Sequence, residues 1–170
     1  MLKQFGPDIW IADGPTVSTA GFEYPTRMAI IRLSGGGLFV WSPISLTVGL
    51  QAEVDALGDV RYLVAPNTLH HLFLGEWARA YGSAKVYAPA GVAMKRREIC
   101  FDGELGNEPI AGWAEDIDQV MVTGNIITTE VVFFHRKSGT VLFTDLLQQF
   151  PAGWFSGWRA IVARLDLMVS

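Results

Sequence analysis

Short apolar runs alternate along this chain with amphipathic stretches and with clusters of glycine and proline, which is the rhythm of an α/β protein. Ile9 to Ala12 reads as a short strand punctuated by Asp13, Gly14 and Pro15. Arg27 to Leu33 and Leu38 to Trp41 read as two strands of a hairpin, because Ser34, Gly35, Gly36 and Gly37 between them supply the positive φ angles of a tight reversal. Thr47 then caps an amphipathic helix with Leu50, Val54 and Leu57 on one face and Gly58 at its end. Leu63 to Ala65 form a strand that Pro66 must stop, since its ring cannot donate to a ladder. Asn67 and Thr68 offer caps for a helix that carries Leu69, Leu72, Phe73, Trp77 and Ala80, with Gly82 placed as a left-handed cap. Lys85 to Ala88 is the next strand. Strand, helix, strand is the crossover of a parallel pair, and in open α/β sheets ligands gather at the carboxyl ends of strands. His70 and His71, two of the three histidines, fall at such an end.

Farther on, Val92 to Cys100 predicts a short helix, and Asp102 to Trp113 a loop long enough to carry function. Ile117 to Val122 predicts a strand. Glu130 to Phe134 and Thr140 to Thr144 predict a hairpin around Arg136 to Gly139, and Trp158 to Leu167 a helix with Ile161, Leu165 and Met168 on one side. No internal repeat of solenoid length interrupts this order, and the chain is long enough for one domain, residues 1–170, with a full core.

Composition narrows the function classes. A net charge of -4 with 13 basic residues offers no footprint for nucleic acid, and the dense basic run Lys95 to Arg97 reads as a solvated helix face. Cys100 is the one cysteine, so no intrachain disulfide forms; it reads as a buried, inert thiol, and a cytoplasmic setting is expected. No apolar run approaches the roughly 18 residues of a membrane span, and Gly6, Pro7 and Asp8 break any signal-peptide core. The excess of apolar residues predicts a thick core, a subunit interface such as that of a homodimer, or both. Phe150, Trp154, Phe155 and Trp158 belong to that core or interface, and His135, beside the turn at Arg136 to Gly139, is expected at the surface.

At the central crossover the chain resembles the metallo-β-lactamase superfamily. A strand, an HxHxDH loop, a helix and a strand ending in a phrase like KVYAPAG follow in that family's order, and the six motif positions read Pro66, Asn67, Thr68, Leu69, His70 and His71. The second family signature, a turn followed by two strands and an aspartate, is echoed by Thr123, Gly124 and Asn125 and then by EVVFFHRKSGTVLFTD, which ends at Asp145. YPTRM, WSPI, APNTLHHLF and FTDLL look like a branch in which the metal motif is altered. The resemblance implies an αββα sandwich, with the family's last strands and helix missing beyond Ser170. It also implies loss of one metal site, whose positions here are Pro66, Thr68 and Asn125 or Ile126. The other site survives as His70, His71 and Asp145, two imidazoles and a carboxylate able to hold one divalent ion, zinc or iron, and to activate water. Asn67 and Glu130 are candidates for lining the pocket or backing the ligands, and Glu130 is open to three roles: ligand, base or strand cap. The family's aspartate-bearing turn is replaced by Trp41, Ser42 and Pro43.

Two functions follow. One is a single-metal hydrolase of a small ester or thioester, working without a nucleotide cofactor. The other is a catalytically silent relative that keeps the scaffold as a binding or assembly module. Read without the resemblance, His70 and His71 are as readily a helix cap and a polar plug, and Asp145 a turn cap.

Overall fold

A computed structural model of the protein describes residues 1–19, 21–123, 129–146, 150 and 153–165. The strands are β1 (Lys3–Gly6), β2 (Ile9–Thr19), β3 (Phe22–Arg32), β4 (Leu38–Trp41), β5 (Val60–Val64), β6 (Lys85–Ala88), β7 (Gly103–Glu104), β8 (Ile117–Val122), β9 (Glu130–His135) and β10 (Thr140–Leu142). The helices are α1 (Val48–Asp55), α2 (Leu74–Ala80), α3 (Val92–Lys95) and α4 (Trp158–Leu165). Strands β1 to β7 form one sheet in chain order, and β10, β9 and β8 a second. In the larger sheet β1 to β4 pair antiparallel, whereas β4, β5, β6 and β7 run parallel, the crossovers between β4, β5 and β6 being made through α1 and α2.

The central strands are apolar on both faces because each face meets its own layer. On β3 and β4, Met28, Ile30, Leu38 and Val40 pack against Leu50, Val54, Leu74 and Trp77 of α1 and α2. The alternate residues Ala29, Ile31, Phe39 and Trp41 pack against Ile117, Val131, Phe133 and Leu142 of the second sheet. A period of two thus serves two cores from one strand. Phe39 is the pivot of the inner layer, with its ring 5.2 Å from Trp113 and 5.6 Å from Phe133 in tilted and edge-on contacts. Two sheets face to face, with helices outside the larger one, make a metallo-β-lactamase-like sandwich that, among the described residues, carries one helical layer of the αββα arrangement the resemblance implied. No helix among the described residues is long and apolar enough to cross a membrane.

Several expectations shift. Strand β2 does not stop at Asp13; it runs on to Thr19, and β3 begins at Phe22 rather than Arg27. Gly14 and Pro15 are absorbed by a bulge, where the pairing steps from Asp13↔Arg27 to Thr16↔Pro25. A Cβ on Gly14 would lie 2.4 Å from Thr26 Oγ1 and 2.8 Å from Ile44, so only glycine fits. The helix expected from Leu69 starts at Leu74. Leu69 and Leu72 are exposed instead of core, and Gly82 does not take a positive φ. Cys100 is exposed, because the neighbouring Ile99 takes the inward position.

His135 is buried to 1 % exposure, not at the surface: it shares the inward face of β9 with Val131 and Phe133. Its Nδ1 pairs with Ser138 Oγ at 2.7 Å. Phe150 and Phe155 form a satellite cluster with Phe22 and Tyr24, while Trp154 and Trp158 remain substantially exposed. The expected position of Met168 lies outside the described residues.

Two measurements test this packing. Gly14→Ala overpacks the contact with Ile44 and Thr26 and should cost about 1–3 kcal/mol of unfolding free energy in a urea titration. Burial holds the His135 imidazole below its ordinary value of 6.5, against the pull of Asp116 and Asp8. The unfolded chain therefore binds a proton that the folded chain refuses. Stability is present above the ordinary value and lost as pH falls through the lowered one. His135→Asn should flatten that acid limb in unfolding curves recorded from neutral pH downward.

Candidate functional site

The site is assembled where β4 and β5 end and where the second sheet comes closest to them. After Trp41 the chain turns at Ser42, whose φ of 52° lies in the left-handed region and whose N–H donates to Val64 O at 2.8 Å. Non-glycine residues seldom hold that conformation, and the cost is of order 1 kcal/mol. The following segment is clamped onto α2: Trp77 Nε1 donates to Ile44 O at 2.7 Å, and Leu46 N donates to Glu76 Oε2 at 3.0 Å.

Beyond β5 the chain crosses to the second sheet. Val131 N donates to Pro66 O at 2.9 Å, and Asn67 bridges to Glu130. Asn67 is fully buried and uses both ends of its amide. Its Oδ1 accepts from Leu69 N and His70 N, each at 2.8 Å, which folds residues 67–70 into a turn. Its Nδ2 donates to Thr144 Oγ1 at 2.8 Å and to Asp145 Oδ2 at 2.7 Å. Glu130, 2 % exposed, collects the backbone N–H groups of Thr144, Asp145 and Leu146, the last two at 2.7 and 3.0 Å. Of the three roles open to it, Glu130 fills a structural one, as the anchor of the turn that carries Asp145.

These constraints deliver His70 to Ser42 and Asp145 together. Ser42 Oγ lies 2.8 Å from His70 Nδ1, and Asp145 Oδ2 lies 3.5 Å from His70 Nε2. At 3.5 Å the Asp145 carboxylate lies within ion-pair range of Nε2 but beyond an ordinary hydrogen bond. With the proton on Nε2, Nδ1 is the acceptor that faces the Ser42 hydroxyl. The side chains of His70 and Asp145 are 25 % and 18 % exposed, whereas Ser42 is 4 % exposed. The indole N–H of Trp41, one residue before Ser42, is buried without an acceptor.

His71 goes elsewhere. Its Nδ1 accepts from Arg96 Nη1 at 3.1 Å, and the same guanidinium also binds the carbonyls of His71 and Leu72 and, through Nε, Glu98 at 2.6 Å. Burial, and then the Arg96 charge, push the His71 imidazole below its ordinary value, which keeps it neutral. Arg96, expected on a solvated face, is therefore turned inward between Lys95 and Arg97, which are exposed.

The expected ligand set is thus brought together only in part. A separation of 3.5 Å between His70 Nε2 and Asp145 Oδ2 would suit two corners of one tetrahedral ion. The third corner does not arrive, because His71 is committed to a guanidinium. Among the described residues no group of three His, Cys, Asp or Glu side chains is placed to hold a metal. The three-ligand set of His70, His71 and Asp145 does not fit an ion in this arrangement. Asn125 and Ile126, the positions of the altered third histidine, lie outside the described residues, as does Gly124. Sequence reasoning missed Ser42 and Arg96. The signal for Ser42 was its place in WSPI, where the family's aspartate turn would stand.

A family model described as a domain of unknown function, DUF4336, matches residues 8–156. Among solved structures, the DIM-1 metallo-β-lactamase exposed to ceftazidime superposes with a TM-score of 0.61 at 15% identity, covering 81% of this chain and 65% of its own. The metallo-β-lactamase IND-7 gives 0.60 at 16%, covering 83% and 68%. The metallo-β-lactamase from Pontibacter korlensis gives 0.59 at 13%, covering 79% and 66%. The chain spans about 65% of the length of the DIM-1 enzyme. No curated protein matches it. At such identities the likeness is one of fold.

The Asn67 amide can be tested on its own. Asn67→Ala removes the acceptor of two backbone N–H groups and a donor to Asp145, and should cost about 2–4 kcal/mol of stability by chemical denaturation. Asn67→Asp sets a second carboxylate against Asp145 and should loosen the contact between His70 and Asp145, read as a changed chemical shift of the His70 ring at fixed pH.

Proposed function

Since the chain belongs to the DUF4336 family and carries a metallo-β-lactamase-like fold, we propose that it is a hydrolase of a small ester or thioester whose chemistry runs through His70. The observation that supports this is the engagement of both ring nitrogens, Nδ1 by the Ser42 hydroxyl and Nε2 by the Asp145 carboxylate. An imidazole placed between a hydroxyl and a carboxylate has a set direction and an anion near its protonated form, which suits a general base. Under this reading the altered motif, with Pro66 and Thr68 at its lost positions, marks a branch that keeps the scaffold while its proton chemistry rests on His70 and Asp145.

A second reading, a binding or assembly module without catalysis, draws support from a separate observation. The outer face of the second sheet exposes Val120, Phe134 and Val141, which share one side of paired strands, with Phe143 exposed just beyond β10. A contiguous apolar face of this kind favours contact with a second copy of the chain.

Hydrolysis of p-nitrophenyl acetate and of an aryl thioacetate separates these readings. His70→Ala and Asp145→Asn should lower kcat/KM by roughly 10²–10⁴-fold, and a chelator should leave the wild type unchanged. His71→Ala should have a much smaller effect. If His71→Ala were as damaging as His70→Ala, and zinc or iron restored chelated enzyme, the three-ligand centre of His70, His71 and Asp145 would be the better account. Absence of turnover in the folded wild type, together with a concentration-dependent dimer in sedimentation, would support the module.

A further inference from the structure

We propose that Ser42 is a catalytic nucleophile and that the hydrolase forms an acyl-enzyme on its Oγ. This rests on the His70 reading and goes past it, since a base alone could equally activate water. Three observations on Ser42 itself carry the step.

The first is the line of contacts. Ser42 Oγ, the two nitrogens of His70 and Asp145 Oδ2 form a chain of hydroxyl, imidazole and carboxylate, with separations of 2.8 and 3.5 Å. That is the constellation which activates a serine in acyl transfer, and such constellations are recognised by geometry and role, not by chain order or fold. Here the ring is used in the opposite sense from the usual one: Nδ1 faces the serine and Nε2 the carboxylate. Imidazole basicity at either nitrogen permits it.

The second is the backbone. Ser42 stands directly after a buried strand, at φ 52°, with its N–H tied to Val64 O. A strained strand-to-turn residue of this type projects its side chain away from the ladder, and strain held at one polar residue is a pointer to function. Pro43, which follows, has no N–H, so the Ser42 hydroxyl has no donor from that side to compete with His70.

The third is burial. Ser42 is 4 % exposed, which shields it from bulk water, while the His70 side chain is partly open at 25 %. A shielded nucleophile is poorly solvated and is therefore more reactive toward a carbonyl that reaches it.

The chemistry balances without a further reactant. The Ser42 hydroxyl adds to the acyl carbonyl as its proton passes to His70 Nδ1. The tetrahedral adduct collapses with cleavage of the bond to the alcohol or thiol, which leaves carrying that proton. Water then adds to the Ser42 ester, giving a proton to Nδ1, and collapse returns it to Ser42 Oγ with release of the carboxylic acid. Asp145 stabilises the imidazolium in both halves. The implied substrates are small acyl esters or thioesters.

The test is trapping of the intermediate in the full chain. Wild-type protein is mixed with p-nitrophenyl acetate and quenched in acid, and separately treated with a fluorophosphonate probe; intact mass and peptide mapping then locate any adduct. We expect one acyl or phosphonyl group on Ser42, a burst of p-nitrophenol, loss of the adduct in Ser42→Ala, and slowed labelling in His70→Ala. Ser42→Ala should lower kcat/KM by about 10³-fold or more. Because Ser42→Ala also removes a support from His70, Ser42→Cys serves as a second variant. It keeps the position nucleophilic and should be acylated by the thioester, with circular dichroism confirming that both variants fold. Turnover in Ser42→Ala close to wild type, with no adduct on Ser42 in the wild type, would overturn the nucleophile and leave His70 acting on water. Failure of the wild type both to label and to turn over would overturn the hydrolase reading as well.

Discussion

The arrangement depends on two polar side chains that are buried where the sheets meet. Asn67 and Glu130 lie opposite one another across the junction, and each is costly to bury unless its hydrogen-bonding capacity is used. Both are used. Glu130 gathers three successive N–H groups and so dictates the path of the chain after β10. Asn67 gathers two more and fixes the turn after β5. The amide of Asn67 then reaches Asp145 directly. A carboxylate held from behind by an amide, on a turn held from beneath by another carboxylate, has little freedom to leave His70. The precision of the site is thus a property of the seam between sheets, not of the loops taken alone.

That seam also explains why adjacent histidines separate. Within a helix His70 and His71 would point about 100° apart with the helix axis fixing both. In the turn made by Asn67, with α2 beginning only at Leu74, each ring finds its own surroundings. His70 meets an acceptor and a hydroxyl. His71 meets a permanent cation whose guanidinium is also bound to two carbonyls and a carboxylate. The close packing of Gly75 belongs to the same arrangement: a Cβ there would lie 3.0 Å from an Arg96 nitrogen. Absence of a side chain on α2 is what lets Arg96 reach back to the turn.

Much of the fold could be read directly. The two hairpins, the parallel crossover and the cap at Thr47 follow from periodicity and from glycine placement, and the structure has Thr47 Oγ1 accepting from Leu50 N at 3.2 Å. What failed did so for definable reasons. Gly14 and Pro15 look like a strand end because a bulge and a terminus use the same residues. Leu69 and Leu72 look like a core face because helical spacing does not reveal that an asparagine side chain has claimed the first backbone donors. His135 looks like a turn residue, but the parity of β9 turns it inward. Of the candidate site, His70 was marked by its place at a strand end, and it was the family resemblance that named Asp145. Ser42 and Arg96 were not marked, since a serine after a strand and an arginine in a basic run have many ordinary uses. Only coordinates put them against the two histidines.

The Arg96 contact bears on what kind of chemistry the scaffold supports. A divalent ion on His71 needs the lone pair of its Nδ1 or Nε2 together with His70 and Asp145 on the same centre. Nδ1 is already occupied by a donor that carries a full positive charge, and that charge is neutralised chiefly by Glu98, which is half exposed. To seat an ion there the chain would have to give up the bond from Arg96 to Nδ1 and place a divalent charge beside a guanidinium, in a partly buried setting where like charges are poorly screened. His70 faces no such obstacle. The two imidazoles therefore diverge in surroundings as well as direction, with His71 serving to fix the turn and His70 held between a hydroxyl and a carboxylate.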